Sequence, residues 1–422
     1  MPKEKRERQK VIVNIDKIAQ DKERLEAKHQ QKVELFEAAS SHQKEAEVEN
    51  PFFESLREKD LLSNLTNFEG FEILQLFGIC QPFMTSKKRG PKSTISAMDG
   101  LVALLIILKT GKNYETLAKE YLSVSPSVLW NAVDKTIEPL VNSLKSKWWK
   151  ERPRPTPLRQ REIEDAALLI DSTSIEINRP SGKFKDGISF YDEKNHCYAI
   201  KKEVAVMSSF PFYALFSSPG FTGKCHDYAI HKEFNESYLQ YLQKSKEEKE
   251  ATNNDPYWSV LADMGYIGPA TDTRFQRVMS IKKRDLSIEE EHWNGVVSKT
   301  RVFVECFFGR LKKSWECCNK YRYDISRFDL MVDACILLTN EIIACHQLDD
   351  HDSKFFKGSI ISKQEEQKEK QEKRKETLAK YKEIKEKKKR NGTSKPELRH
   401  AMNKSYFSFF FFFFTYECRR IQ

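Results

Sequence analysis

Zinc-type ligand spacing is missing from this chain: none of its nine cysteines forms a Cys-x-x-Cys pair, which argues against a zinc finger. The cysteines are odd in number and scattered, so free thiols in a reducing compartment are the simple reading. His196, His231 and His292 have no cysteine or histidine partners at zinc spacing, and each is expected to be structural. No Gly-x-x-x-x-Gly-Lys-Ser/Thr loop occurs, so nothing supports an ATP requirement. The longest apolar stretch, Leu101 to Leu108, falls far short of the ~20 residues that span a bilayer. Met1-Pro-Lys-Glu-Lys-Arg6 lacks the apolar core of a signal peptide. These absences predict a soluble, intracellular protein.

What is present is charge, unevenly placed. Charged residues make up 32% of the 422, above the usual ~25%. From Lys363 to Lys404, 16 Lys and Arg stand against 8 Asp and Glu, so most of the net +10 lies in that segment. The overall basicity is therefore a weak argument for nucleic-acid binding. Residues 1–85 begin with a Lys-, Glu- and Gln-rich arm to about residue 50, followed by a more apolar stretch, Phe52 to Phe83, predicted as one or two helices. Residues 349–422 form a basic low-complexity tail, expected to be a solvated helix or disordered. Phe409 to Phe414 is a run of six phenylalanines, too short to span a membrane and aggregation-prone if exposed. It carries no functional reading.

Between the tails the periodicity changes character once. Residues 86–150 are helical after the basic loop Ser86 to Lys92: Met98 to Lys109 ended by Gly111, Tyr114 to Leu122, then Ser127 to Trp148 behind Ser125-Pro126. This pattern suits both a helix-turn-helix, whose last helix would enter the major groove, and an ordinary three-helix core module. Arg152-Pro-Arg-Pro-Thr-Pro157 reads as a stiff linker. Residues 158–348 then alternate: a strand at Leu168 to Ile170, a hairpin of Cys197 to Met207 with Tyr213 to Ser217, and a helix His226 to Gln243. A polar insertion (244–254), a strand Trp258 to Ala262, a helix Thr300 to Lys313 and an apolar helix Phe328 to His346 follow. That order predicts an α/β layer with a mixed sheet.

Three acids stand out in this second part. Asp171 ends the run Ala166-Ala-Leu-Leu-Ile170 and precedes Ser-Thr-Ser. Asp263 follows Val260-Leu-Ala262 and precedes Met-Gly-Tyr266. Glu305 lies within Arg301-Val-Phe-Val-Glu-Cys-Phe-Phe-Gly-Arg-Leu-Lys312. A carboxylate at the end of a buried strand is costly to ionise unless it is paired or binds a metal. Two strand-end aspartates and a helical glutamate suit a divalent-metal site for phosphoryl transfer. Each also has a structural reading: Asp171 and Asp263 as turn residues, and Glu305 as the partner of Arg301 four positions before it.

The segments Ile-Asp-Ser-Thr (170–173), Ser-Pro-Gly-Phe-Thr-Gly-Lys-Cys-His-Asp (218–227), Ala-Asp-Met-Gly-Tyr (262–266) and Arg301 to Lys312 resemble, in that order, the DDE endonucleases of PIF/Harbinger-type transposases. The resemblance covers about Arg89 to Leu348, and Val-Glu-x-x-Phe-Gly-Arg-Leu-Lys is its most specific piece. It implies a ribonuclease-H-like mixed sheet flanked by helices, preceded by a helix-turn-helix. It implies Mg²⁺ or Mn²⁺, as two ions, held by Asp171, Asp263 and Glu305, with His226-Asp227 as a secondary site. It also implies cut-and-paste transposition of double-stranded DNA by a dimer or higher oligomer, with a separate DNA-binding helper. Met264 departs from the small residue usual before this Gly-Tyr, and the 244–254 insertion lengthens the spacer between the first two acids.

Arg310, Lys312 and Lys313, and the run Lys282-Lys283-Arg284, are candidate DNA contacts; solvated surface is the plain reading for each. Lys87 to Arg89 and Lys387 to Arg390 could contact DNA or direct nuclear import in a eukaryote. The rival to an active transposase is a domesticated or decayed copy that binds DNA without cutting it. A host nuclease without strand transfer comes third.

Overall fold

A computed structural model describes residues 50–83, 95–150, 163, 165–181, 187–209, 211–250, 252, 254–269, 274–283 and 285–345. The N-terminal arm, both basic runs suggested for import, the proline-rich linker, Arg284 and the tail with its phenylalanines lie outside the described residues. Among the described residues no helix is long and apolar enough to cross a membrane.

The segment expected to hold one or two helices holds three: α1 (Pro51–Glu58), α2 (Leu62–Thr66) and α3 (Gly70–Cys80). Asp60 (φ 53°) and Asn67 (φ 70°) sit in the breaks with left-handed backbone, a conformation their short polar side chains tolerate. At α3, Glu69 and Glu72 form a reciprocal capping box. Then comes α4 (Ala97–Thr110), whose N-cap Ser96 accepts from the Asp99 amide and whose end is set by Gly111 at φ 63°. Every residue from Met98 to Leu108 is buried, so α4 is a core rod, apolar all round. Asp99 is tolerated there because its Oδ1 accepts the Phe53 amide at 2.9 Å. Helix α5 (Tyr114–Leu117) runs on as a π turn to Leu122, and α6 is Pro126–Trp148.

The strands are β1 (Ala166–Ile177), β2 (Tyr191–Asp192), β3 (Cys197–Met207), β4 (Ala214–Ser217), β5 (Phe221–Thr222), β6 (Ser259–Leu261), β7 (Arg277–Val278) and β8 (Lys320–Tyr321). Their order is β2-β3-β1-β6-β7, with β4 and β5 also on β3 and β8 also on β1. β1 runs antiparallel to β3 and parallel to β6 and β8, so the sheet is mixed, as expected. β1 is far longer than the predicted Leu168–Ile170. Asp171 therefore lies inside a strand instead of at its end. The extension Ser172 to Ile177 sets Ser172, Ser174 and Glu176 on one face and Thr173, Ile175 and Ile177 on the other, and β3 pairs it as far as Glu176.

Helices cover both faces. One face of β1, with Leu169, Ile175 and Ile177, joins an apolar core with α4, α6, α9 (Ile288–Ser314) and α11 (Phe328–Cys345). The other, with Leu168 and Ile170, packs with Tyr238, Tyr241 and Leu242 of α7 (Asp227–Leu242) and with Trp258. Two short helices, α8 (Lys246–Glu250) and α10 (Glu316–Asn319), complete the fold. The 244–254 insertion thus includes a helical turn.

Candidate active site

Strand register brings the two aspartates together. β1 and β6 are parallel, with Leu168 beside Val260 and Leu169 beside Leu261. Asp171 and Asp263 each stand two residues farther along, on the side that Leu169 and Leu261 share with α9, because side chains alternate along a strand. α9 lies across that face through Val297, Val304, Phe307, Phe308 and Leu311. It starts at Ile288, ahead of the predicted Thr300, where Ser287 and Glu290 form a capping box. Glu305 occurs between the buried Val304 and Phe307 but is itself exposed.

One guanidinium connects all three acids. Arg301, a turn before Glu305, places Nη1 2.9 Å from Asp263 Oδ1, and Nη2 3.9 Å from both Asp171 Oδ2 and Glu305 Oε1. Side-chain exposure is 21% for Arg301 and Asp171 but 48% and 51% for Asp263 and Glu305. The Nε of Arg301 is buried without a hydrogen-bond partner. Burial pushes the Asp171 carboxyl up from 3.8 to about 6, and the neighbouring Asp227 and Asp263 add to the rise. The Ser172 amide, which donates to Asp171 Oδ1 at 2.8 Å, and Arg301 oppose it.

Asp227 approaches from the opposite face of the sheet, as the first residue of α7; His226 is its N-cap and is exposed. A Cβ built on Gly265 would lie 3.5 Å from Asp227 Oδ2, so this carboxylate borders the loop that carries Asp263. Lys201 Nζ is 4.0 Å from Asp227 Oδ1 and donates to the Cys225 carbonyl at 3.1 Å. That loop is clamped. The Tyr266 hydroxyl, fully buried, meets Ser172 Oγ at 3.0 Å, and Arg277 Nη2 donates to the carbonyls of Gly268 and Pro269 at 2.9 Å each. Gly268 lets the Tyr228 ring lie against the backbone here, since a Cβ would stand 2.0 Å from that ring and displace it.

The proposed DNA contacts separate. Lys312 is half-buried and donates to the Ser174 carbonyl of β1 at 3.0 Å, with its pKa lowered by that burial. Lys313 and Lys282 are exposed, Arg310 is half-buried, and Lys283 pairs with Glu290 at 2.6 Å. His231 is a core residue, fully buried against Tyr238, Tyr266 and Phe275. The exposed side of α6 carries Trp130, Asn131, Lys135, Glu138 and Asn142, a mixed rather than basic surface.

Sequence reasoning missed the role of Arg301. Its spacing flagged a pair with Glu305, but nothing in the chain ties it to Asp171 or Asp263. Ser172 and Tyr266 lay inside quoted motifs without a function. Among the described residues, no group of three or more His, Cys, Asp or Glu side chains is gathered closely enough to hold one ion. The donor chemistry does fit a hard divalent cation, since every candidate ligand is a carboxylate oxygen. The Arg301 guanidinium stands among those oxygens.

The family model of the DDE superfamily endonucleases matches residues 170–340, a stretch that includes Asp171, Asp227, Asp263, Arg301 and Glu305. No curated protein and no solved structure matches the chain. The family match supports a transposase or nuclease function with DNA as substrate, and the mixed sheet flanked by helices is consistent with a ribonuclease-H-like fold.

Proposed function

We propose that this chain, matched over 170–340 by the DDE superfamily endonucleases, is a PIF/Harbinger-type transposase that cuts double-stranded DNA at element ends and joins the freed 3′-hydroxyl to a target strand. The observation that carries this reading is the convergence of Asp171, Asp263 and Glu305 on one guanidinium, from two neighbouring parallel strands and the helix across them. Three carboxylates within reach of one cation repel one another unless positive charge is supplied.

Asp171, Asp263 and Glu305 would hold Mg²⁺ or Mn²⁺, which when bound supply an activated oxygen nucleophile and stabilise the leaving oxygen. Asp171 is the sheltered anchor, fixed through the Ser172 amide. Asp263 and Glu305, about half exposed, face the side from which a phosphodiester can approach. Tyr266, Ser172, Arg277 and Gly268 hold the Asp263 loop at a constant height over the sheet, so a bound phosphate meets the acids in one orientation. Asp227 and Lys201 border this centre as a secondary acid–base pair. Lys282, Lys313 and Arg310 remain candidates for phosphate contacts, and α4 to α6 for a helix-turn-helix reader. A dimer pairing two ends, a DNA-binding helper and residence in a nucleus belong to the same reading.

Nicking of supercoiled plasmid with Mg²⁺ tests it. Cleavage is expected from the unaltered chain and absent from Asp263→Ala; full activity in that variant would overturn the assignment.

A further inference from the structure

We infer that Arg301 is a built-in counter-ion for the three carboxylates, and that a divalent cation loads by displacing its guanidinium. This rests on the reading of Asp171, Asp263 and Glu305 as metal ligands and adds a competitor to it. Among the described residues, the partners of the guanidinium are these carboxylates alone.

Two features make the guanidinium a replaceable occupant instead of a fixed strut. Its grip is uneven: 2.9 Å to Asp263 is a hydrogen bond, whereas 3.9 Å to Asp171 and to Glu305 lies beyond hydrogen-bonding range. Its Nε, buried without an acceptor, is a cost that leaving the site would remove. Compare the closed pairing of Lys202, which donates to Asp329 and Asp333 at 2.9 and 2.8 Å.

Metal and guanidinium cannot share the centre. Mg²⁺ draws oxygens to about 2.0–2.1 Å, which requires the carboxylates to close into the space the guanidinium fills. Two positive groups would then stand within a few ångströms in a partly buried site. Without a divalent ion, Arg301 keeps the acids from driving one another apart. With one, it must swing outward along α9 to solvent. The measured affinity for metal is then the intrinsic affinity reduced by the fraction of molecules in which Arg301 is already out of the way; if that fraction is about one-tenth, the loss is about tenfold.

Two measurements decide it. Calorimetric titration of Mn²⁺ into the wild-type chain, Arg301→Gln and Asp171→Asn should show binding about tenfold tighter in Arg301→Gln, and none in Asp171→Asn. Peptide mapping after phenylglyoxal treatment of the wild-type chain should show Arg301 reacting several-fold faster with Mn²⁺ present, a readout that stands even if Arg301→Gln fails to fold. Equal or weaker binding in Arg301→Gln, or reactivity indifferent to Mn²⁺, overturns displacement while the metal site stands. No Mn²⁺ binding to the wild-type chain overturns both the displacement and the metal-ligand reading.

Discussion

Two charged clusters stand on one sheet, and they are built on opposite rules. Beneath α11, Lys202 of β3 is 1% exposed and pairs with Asp329 and Asp333, while the second oxygen of Asp333 meets Lys145 of α6 at 2.7 Å. Two cations face two carboxylates at hydrogen-bonding distance, and the cluster ties α6 to the sheet and α11. At the candidate site, Asp171, Asp263, Glu305 and Asp227 face, among the cations of the described residues, only Arg301 and, at 4.0 Å, Lys201. The first cluster is balanced and closed. The second is over-acidic and half open. A network that serves stability satisfies its charges internally; one that serves chemistry leaves negative charge for a ligand to complete.

Substitutions should separate the two clusters sharply. The largest effect is expected at the open one: Glu305→Gln should lower metal-dependent plasmid nicking by on the order of 10³-fold, the scale seen when one group stabilising a transition state is removed. Its urea midpoint should barely move, since Glu305 is about half exposed. The same loss in Asp333→Ala with an unchanged midpoint would erase the contrast.

Next comes the closed cluster. Asp333→Ala leaves Lys202 buried with half its partners, and breaking a buried pair costs about 3–5 kcal/mol. Urea denaturation checks this, and a cost below ~1 kcal/mol would show that the cluster is no keystone.

Asp171→Asn turns the comparison round, because removing this charge should stabilise. The Asp171 carboxyl titrates near 6 in the folded chain against an ordinary 3.8. A raised value means that folding favours the protonated form. The associated stability is present below pH about 4 and lost as pH rises through 6. Without metal at pH 7, Asp171→Asn should therefore be more stable by roughly 2–3 kcal/mol, and no different at pH 4. Thermal melts across that range test it, and a gain that does not vary with pH would sink the explanation. The smallest effect belongs to the clamp: Tyr266→Phe forfeits the bond to Ser172, worth about 1 kcal/mol, and should slow nicking modestly by loosening the Asp263 loop.

Much of this arrangement was readable in the chain, for local reasons. Ser96 and Gly111 bracket α4, Ser125-Pro126 opens α6, and the hairpin of β3 and β4 shows in its run of Val, Ile, Tyr and Phe. The three acids were legible because each interrupts an apolar pattern. Reading failed where the signal was not apolar. α9 begins at Ile288, twelve residues before its predicted start, because its first turns (Glu289, Glu290, Glu291, His292) are solvated and show no buried stripe; only the Ser287–Glu290 capping box marked them. The second half of β1 was lost because Ser172-Thr-Ser174 looks like a turn, yet pairing with β3 keeps it extended.

By itself the sequence determined which residues could do chemistry and most of the elements that carry them, since caps, breaks and hydrophobic periods act within a few positions along the chain. That Asp171 and Asp263 stand side by side, that Lys312 turns to β1 and not to solvent, and that Arg301 reaches three acids were decided only by tertiary structure. Those outcomes depend on strand register and on the angle at which a helix crosses a sheet. Both are set by packing among residues far apart along the chain, for which no local pattern exists.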